Sequence, residues 1–173
     1  VGTVRQQSGT LMHELGHNLQ LEHGGNVQTN YKPNYLSNMN YWFQFGIPPL
    51  NRLDFSRDAL ADLNENNLNE PLGIQDGTDD TRYVCPNVTV RTGAGIGAIN
   101  WNCDVNAGTD TSANVDINCD AALNVLTGYD DWEYLKYDFQ TSSQNFQDGV
   151  HDNLDVPDIT FPTYMMVINH PPV

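Results

Sequence analysis

Residues 13–23 read HELGHNLQLEH, and this stretch decides how the whole sequence is interpreted. His13 and His17 are four residues apart, so a helix places their rings on one face, one turn from each other. Two imidazole nitrogens at that spacing can reach one Zn²⁺ ion at about 2.0–2.1 Å. Glu14 stands beside the first histidine, where its carboxylate can reach a water on the metal without binding the metal itself.

A third histidine, His23, follows six residues after His17. One more helical turn would not return it to the metal, so the chain is predicted to leave the helix and turn sharply after Asn18. Three protein ligands with an open fourth position are typical of catalytic zinc, whereas a structural zinc is closed by four ligands and usually by Cys. No Cys lies near this segment.

The spacing of apolar residues predicts a helix over residues 3–19, with Thr3 and Gln6 as a capping box at its start. Its apolar positions are Val4, Leu11, Met12, Leu15 and Leu19. Residues 26–50 are expected to form an irregular loop with one tight turn. A second helix is predicted over 54–69, capped by Ser56 and packed through Ala59, Leu60 and Leu63.

Beyond residue 73 we expect loops and short strands. A third short helix is predicted over 131–137 with Asp130 as its cap. Residues 161–168 are one candidate strand, and the isolated His151 and His170 are interpreted as surface residues.

The chain is strongly acidic, with 22 Asp and Glu against 7 Lys and Arg in 173 residues. This balance argues against nucleic acid and anionic membrane surfaces as partners, because a phosphate-binding protein needs a basic surface. No apolar run approaches the length of about 18–20 residues that a membrane span needs. Asn makes up roughly 12% of the chain, which favours turns and caps over long regular elements.

The segment from His13 to His23 resembles the zinc-binding consensus of the metzincin peptidases, HExxHxxGxxH. Metzincins also have a Met-containing turn beneath the metal, and residues 37–41, SNMNY, are similar to it. The resemblance implies zinc ligands at the three histidines and a general base at Glu14. It places Met39 beneath the metal as an apolar floor. As in the astacin and serralysin branches, it implies that Tyr41 is a ligand of the resting zinc and later donates a hydrogen bond to the oxyanion.

The resemblance also implies a fold: an α+β zincin with a zinc helix followed by a loop-rich C-terminal part. Residues 1–72 then hold the active-site helix and the Met-turn, and 73–173 form the acidic remainder of the same domain. Metzincins carry a sheet before the zinc helix, and here about a dozen residues precede His13. We therefore expect an upstream segment or a partner chain to supply it. Gln20 replaces the consensus Gly, at a cost on the order of 1 kcal/mol.

Two acidic segments carry oxygen side chains at alternate positions, an arrangement with which loops surround Ca²⁺. The candidate ligands are Asp104, Asn106 and Asp110 in the first segment, and Asp116, Asn118 and Asp120 in the second. The alternative interpretation is a set of Asx-turns in solvated loops.

Three cysteines allow at most one internal bridge. Cys85–Cys103 is the preferred pair, because it would close a long loop-rich segment, while Cys103–Cys119, Cys85–Cys119 or no bridge remain open. The acidic composition, a bridge and calcium together favour a secreted protein.

Two functions follow from these patterns. The first is a secreted zinc endopeptidase that hydrolyses peptide bonds in a protein or peptide substrate through a metal-activated water. The second is a non-catalytic, calcium-stabilised extracellular module that retains a zinc site. The intact Glu14 favours the first, because a purely structural zinc site needs no base.

Overall fold

Helix α1, Val4–Asn18, is the longest regular element of the computed structural model, which describes residues 2–136. The predicted capping box is confirmed at its start. The Thr3 hydroxyl accepts a hydrogen bond from the Gln6 amide at 3.2 Å, and the Gln6 side chain accepts one from the Thr3 amide at 2.8 Å. These bonds satisfy two of the amide groups that a helix N-terminus leaves unpaired.

The face that α1 buries differs in part from the prediction: Leu19 is buried and Met12 half-buried as expected, but the other three apolar positions are exposed. Val4, Leu11 and Leu15 are 80%, 72% and 48% exposed. The buried positions within the helix are Gly9, His13 and Gly16. Close approach of the backbone therefore outweighs side-chain hydrophobicity in choosing this face.

The two helical glycines allow the loop 38–45 to lie against α1. A Cβ atom at Gly9 would stand 2.2 Å from the carbonyl oxygen of Gln44. A Cβ atom at Gly16 would stand 2.2 Å from the sulfur of Met39. Both separations are far below van der Waals contact, so α1 can pack here only without side chains at these positions.

The chain forms two small antiparallel sheets after a long loop, giving a small mixed α/β protein. Strand β1, Leu63–Asn64, pairs with β4, Val125–Leu126. Strand β2, Thr81–Val84, pairs with β3, Val90–Gly93. Residues 26–50 contain neither helix nor strand, in agreement with the prediction.

The predicted helix over 54–69 is wrong: these residues form turns and the short β1. Ser56, expected as a helix cap, instead donates its hydroxyl proton to the Tyr129 carbonyl at 2.5 Å and accepts from the Asp131 amide at 2.9 Å. Four asparagines lie within residues 64–69. Asparagine favours turns, because its side chain competes with the backbone hydrogen bonds of a helix. Tertiary bonds to distant loops therefore replace the local helix.

A single cluster of buried side chains joins the two sheets and the loops. It includes Phe43, Ile47, Leu68, Trp101 and Leu126. A disulfide between Cys85 and Cys103 adds to this cluster and confirms the preferred pairing, while Cys119 is free and exposed. The bridge joins the end of β2 to the first acidic loop.

Helix α2, Asp131–Tyr134, is shorter than the predicted 131–137, and Asp130 caps it as expected. The candidate strand 161–168, His151 and His170 lie outside the described residues. Within residues 2–136, no helix combines the length and apolar character needed to cross a membrane.

The end of α1 is a Schellman-type turn with Gln20 in the left-handed conformation, φ 68°. The Leu21 amide donates to the Gly16 carbonyl and the Gln20 amide to the His17 carbonyl, both at 3.0 Å. Glycine usually holds this position because it lacks a Cβ atom. The turn predicted between Asn18 and His23 is therefore present despite the missing glycine.

We expect Gln20→Gly to raise the free energy of unfolding by about 1 kcal/mol, because it removes the steric cost of the left-handed residue. Urea denaturation measures this change. Gln7→Gly is the matched control: it makes the same change at a helical φ and should lower stability by about 1 kcal/mol. Equal effects at both positions would contradict the strain at Gln20.

Candidate metal centre

Two histidines of α1 direct one ring nitrogen at a backbone carbonyl. His13 Nδ1 lies 3.0 Å from the Asn38 carbonyl oxygen, and His17 Nδ1 lies 2.9 Å from that of Leu21. A carbonyl oxygen can only accept a hydrogen bond, so Nδ1 carries the proton in both rings. In the neutral rings, Nε2 therefore keeps its lone pair for a metal ion, as in known histidine metal sites.

The turn after α1 brings His23 to the other two histidines. One ligand nitrogen from each ring lies within 4.8 Å of the others. His23 Nε2 is buried and has no hydrogen-bond partner. A buried polar atom without a partner costs free energy, and a metal ion would satisfy it. The three histidines thus could hold a metal ion, and imidazole donors suit zinc among other transition metals.

The electrostatics of the cluster favour the neutral form of His23. Burial lowers the pKa of this ring, and the positive charges of His17 and His13 lower it further. The negative charges of Glu22 and Glu14 oppose this shift. A lowered pKa keeps the lone pair free, which is the form that binds a metal.

Glu14, the residue predicted as the base, is exposed on α1 beside His13. Its charge acts on His23, as the pKa of that ring records. The side chain is therefore open to water and to a substrate, and its charge reaches the histidine cluster.

The loop after His23 contributes the two other residues expected at the site. The Tyr41 ring centre lies 4.5 Å from that of His23 and 5.3 Å from that of His13, and the residue is 45% exposed. Met39 is fully buried, with its sulfur against Gly16 of α1. The structure thus places Tyr41 against the histidine rings and open to solvent, Glu14 beside His13 on α1, and Met39 in the interior against Gly16.

Asn38 connects this loop to α1 at the metal cluster. Its carbonyl oxygen is the partner of His13 Nδ1, and its side-chain amide donates to the carbonyls of Gly9 and Gln44 at 3.2 and 2.7 Å. The orientation of His13 therefore depends on a buried asparagine that sequence patterns do not single out.

Lys32 is a second buried residue that the sequence analysis missed. Its ammonium donates to the carbonyls of Gly24 and Thr127 at 2.7 and 2.6 Å. Gly24 follows His23 directly, so Lys32 ties the metal-binding turn to the segment after β4. A lone lysine beside a proline and an asparagine carries no sequence signal for such a role.

Asp131, at the start of α2, is fully buried and joins three distant segments. Its carboxylate accepts hydrogen bonds from the hydroxyls of Tyr35 and Ser37 and from the Ser56 amide. Burial raises the pKa of this carboxyl, although these bonds oppose the shift. Asp131 thereby fixes the backbone immediately before Met39.

The second acidic segment forms Asx-turns. The Asp116 carboxylate accepts from the amides of Cys119, Asp120 and Ala121 at 2.6, 3.2 and 2.9 Å. Asn118 donates from its side chain to Asp120 at 3.1 Å. These bonds agree with the alternative interpretation of the segment, and calcium binding there stays a prediction.

The first acidic segment is similar. The Asp104 carboxylate accepts from the Asn106 amide at 2.7 Å, and Asp110 accepts from the Asn102 side chain at 2.7 Å. Among residues 2–136, the three histidines are the group of His, Cys, Asp or Glu side chains close enough together to hold a metal ion, and the acidic segments form no such group. Calcium at this segment also stays a prediction.

Two buried glutamates position these acidic loops. Glu65 accepts from the amides of Ile117 and Asn124 at 2.7 and 2.8 Å. Glu70 accepts from the amides of Asn102 and Asp110, both at 3.2 Å. Each carboxylate thus holds one loop by its backbone, a role that the wrongly predicted helix over 54–69 did not give to Glu65.

We expect Gly16→Ala to destabilise the fold by about 1–3 kcal/mol, because the added methyl overlaps buried Met39. Thermal unfolding and zinc titration measure the loss. The double variant Gly16→Ala/Met39→Ala should lose less stability than the sum of the two single variants, because removing the sulfur removes the clash, whereas independent sites would give additive losses.

Lys32 should make stability rise with pH in alkaline solution. Burial lowers the pKa of Lys32 to about 8, although the negative charges of Asp131 and Asp62 raise it. The unfolded chain keeps this proton to about pH 10.4. Between these values the unfolded state binds more protons, so the free energy of unfolding increases with pH.

We expect Lys32→Met to lose this pH dependence, because it removes the ammonium and retains an unbranched apolar chain. Urea denaturation at several values from about pH 8 to about pH 10 measures the difference from the wild type. Lys136→Met, at an exposed position, serves as the control and should keep the wild-type slope. If the free energy of unfolding of the wild type and of Lys32→Met changed equally with pH, the lowered pKa of Lys32 would be contradicted.

Comparison of the chain with protein-family models, with curated proteins and with solved structures found no match.

Proposed function

We propose that this protein is a zinc-dependent endopeptidase. The observation that carries the proposal is the histidine cluster: the rings of His13 and His17 are oriented by carbonyl partners, and His23 offers a buried Nε2 without one. The acidic Glu14 beside this cluster is what distinguishes a hydrolytic site from a storage or structural site.

The chemistry divides between the metal and the chain. Zinc held by the three histidines would supply a Lewis acid that lowers the pKa of a bound water to about 7. The Glu14 carboxylate accepts the proton of the attacking water on one of its oxygens. It then returns that proton to the leaving amine, which needs a group able to act first as base and then as acid.

Tyr41 has the place and exposure to assist. Its ring stacks on that of His13 and is tilted against that of His23, and its hydroxyl is a donor that can bond the oxyanion of the substrate as negative charge develops there. Met39 has a structural role: its buried sulfur packs against Gly16, on the helix that carries His13 and His17. Its role is to hold the ligands in register.

The setting that we propose is extracellular. The Cys85–Cys103 disulfide is compatible with an oxidising compartment, where such bridges persist. The acidic surface of the chain keeps it soluble in that medium. A protein or peptide substrate would approach from the side on which Glu14 and Tyr41 are exposed.

The test compares the wild type with Glu14→Gln for chelator-sensitive cleavage of a denatured protein, with zinc measured in the same preparations. We expect stoichiometric zinc in both and a loss of cleavage of about 10²–10⁴-fold in the variant, because only the proton transfer is removed. Glu22→Gln is the matched control, since it also removes a carboxylate near His23, and it should keep cleavage.

Two outcomes would overturn the proposal. Stoichiometric zinc without cleavage by the wild type would favour the non-catalytic module. A wild type that binds no zinc would reject the metal centre itself.

A further inference from the structure

A shallow apolar groove lies beside the metal centre and has no role in the chemistry described above. It has a volume of about 370 Å³ and is lined mainly by Tyr31, Trp42, Val84, Val88 and Val90. The other lining residues are Asn118 and Cys119, so no charged side chain faces a ligand in the groove. Such a surface favours an apolar or aromatic group.

Aromatic rings connect the groove to the histidine cluster, because Tyr31, which lines the groove, packs against Tyr41. The Tyr31 ring centre lies 5.4 Å from that of Trp42 and 6.1 Å from that of Tyr41. The Tyr41 ring centre in turn lies 4.5 Å from that of His23, with the two rings tilted by 45°. Because an extended peptide advances about 3.3–3.6 Å per residue, the groove lies within about three residues of a bond held at the histidines.

Tyr31 is held in a strained conformation that points to a role in binding. Its φ is 60°, in the left-handed region, which is unusual for a bulky residue. The Asn30 side chain accepts hydrogen bonds from the Tyr31 and Tyr41 amides at 2.7 and 3.1 Å, so one residue holds the backbone at both tyrosines. Burial does not offset the strain, because Tyr31 is 39% exposed.

Strain recurs around the same groove. Val88 and Cys119, which also line it, have φ values of 62°. Strained backbone of this kind concentrates at ligand sites, where the surrounding structure holds the residue in place for contact. The groove is therefore a surface whose shape the fold maintains at a cost.

Resting on the peptidase function proposed above, we propose that this groove receives a large apolar or aromatic side chain of the substrate. That side chain lies within three residues of the scissile bond, and Tyr31 is the residue that selects it. The occupant is a peptide side chain because Tyr31 joins the groove to Tyr41 and the histidines, and because no charged side chain lines the groove.

The experiment measures kcat/KM on a peptide library in which each position within three residues of the cleaved bond is varied. The wild type should favour Phe, Tyr, Trp or Leu over Ala and Glu at one position. Tyr31→Ala should lower kcat/KM for the favoured peptides about 10-fold and leave Ala peptides nearly unchanged, because only the stacking surface is lost.

Two controls separate selectivity from folding. Tyr31→Phe keeps the ring and should keep the preference, and Tyr134→Ala removes an exposed tyrosine outside the groove. Modification of the free Cys119 in the wild type tests the groove without any substitution. N-phenylmaleimide should reduce cleavage of the favoured peptides, whereas the small methyl methanethiosulfonate should not.

The outcomes distinguish the two proposals. Cleavage with no apolar preference, or a preference unchanged in Tyr31→Ala and after phenylmaleimide, would contradict the proposed role of the groove. Neither result would contradict the peptidase function. A zinc-loaded wild type that cleaves no peptide would overturn both.

Discussion

The loop from Lys32 to Asn40 is buried along its whole length, yet it contains neither helix nor strand. Buried amides and carbonyls must still be paired, because each unpaired group costs free energy comparable to a lost hydrogen bond. In this loop, buried side chains provide the pairing. Asn34 donates to the carbonyls of Ala61 and Leu126, and Asn40 donates to those of Lys32 and Tyr35. The position of the histidines depends on this network, since Asn38 in the same loop orients His13.

The parts of the molecule that sequence patterns predict are the local ones. The helix 3–19, its capping box and the convergence of His13, His17 and His23 depend on spacing within about twenty residues, and the structure has all of them. The left-handed turn at Gln20 is equally local. Such features are set by backbone geometry and by neighbours along the chain.

The parts that could not be predicted depend on distant contacts. The buried face of α1 was predicted from apolar spacing, but it is set by Gly9 and Gly16, whose packing requires knowledge of the loop opposite. Glu65 and Asp131 look like exposed acids in the sequence, and only the fold shows that loop amides and hydroxyls surround them. A polar residue that pairs with distant backbone has no periodicity to detect.

The bonds that complete the metal centre join segments far apart in the chain. Lys32 reaches Thr127, and Tyr35 reaches Asp131, across 95 and 96 positions. Contacts of such separation form late in folding, since the long intervening loop must first be closed. During synthesis, the histidines therefore leave the ribosome well before the residues that hold their loop in place. The three histidines therefore reach their final arrangement only once Asp131 has been made.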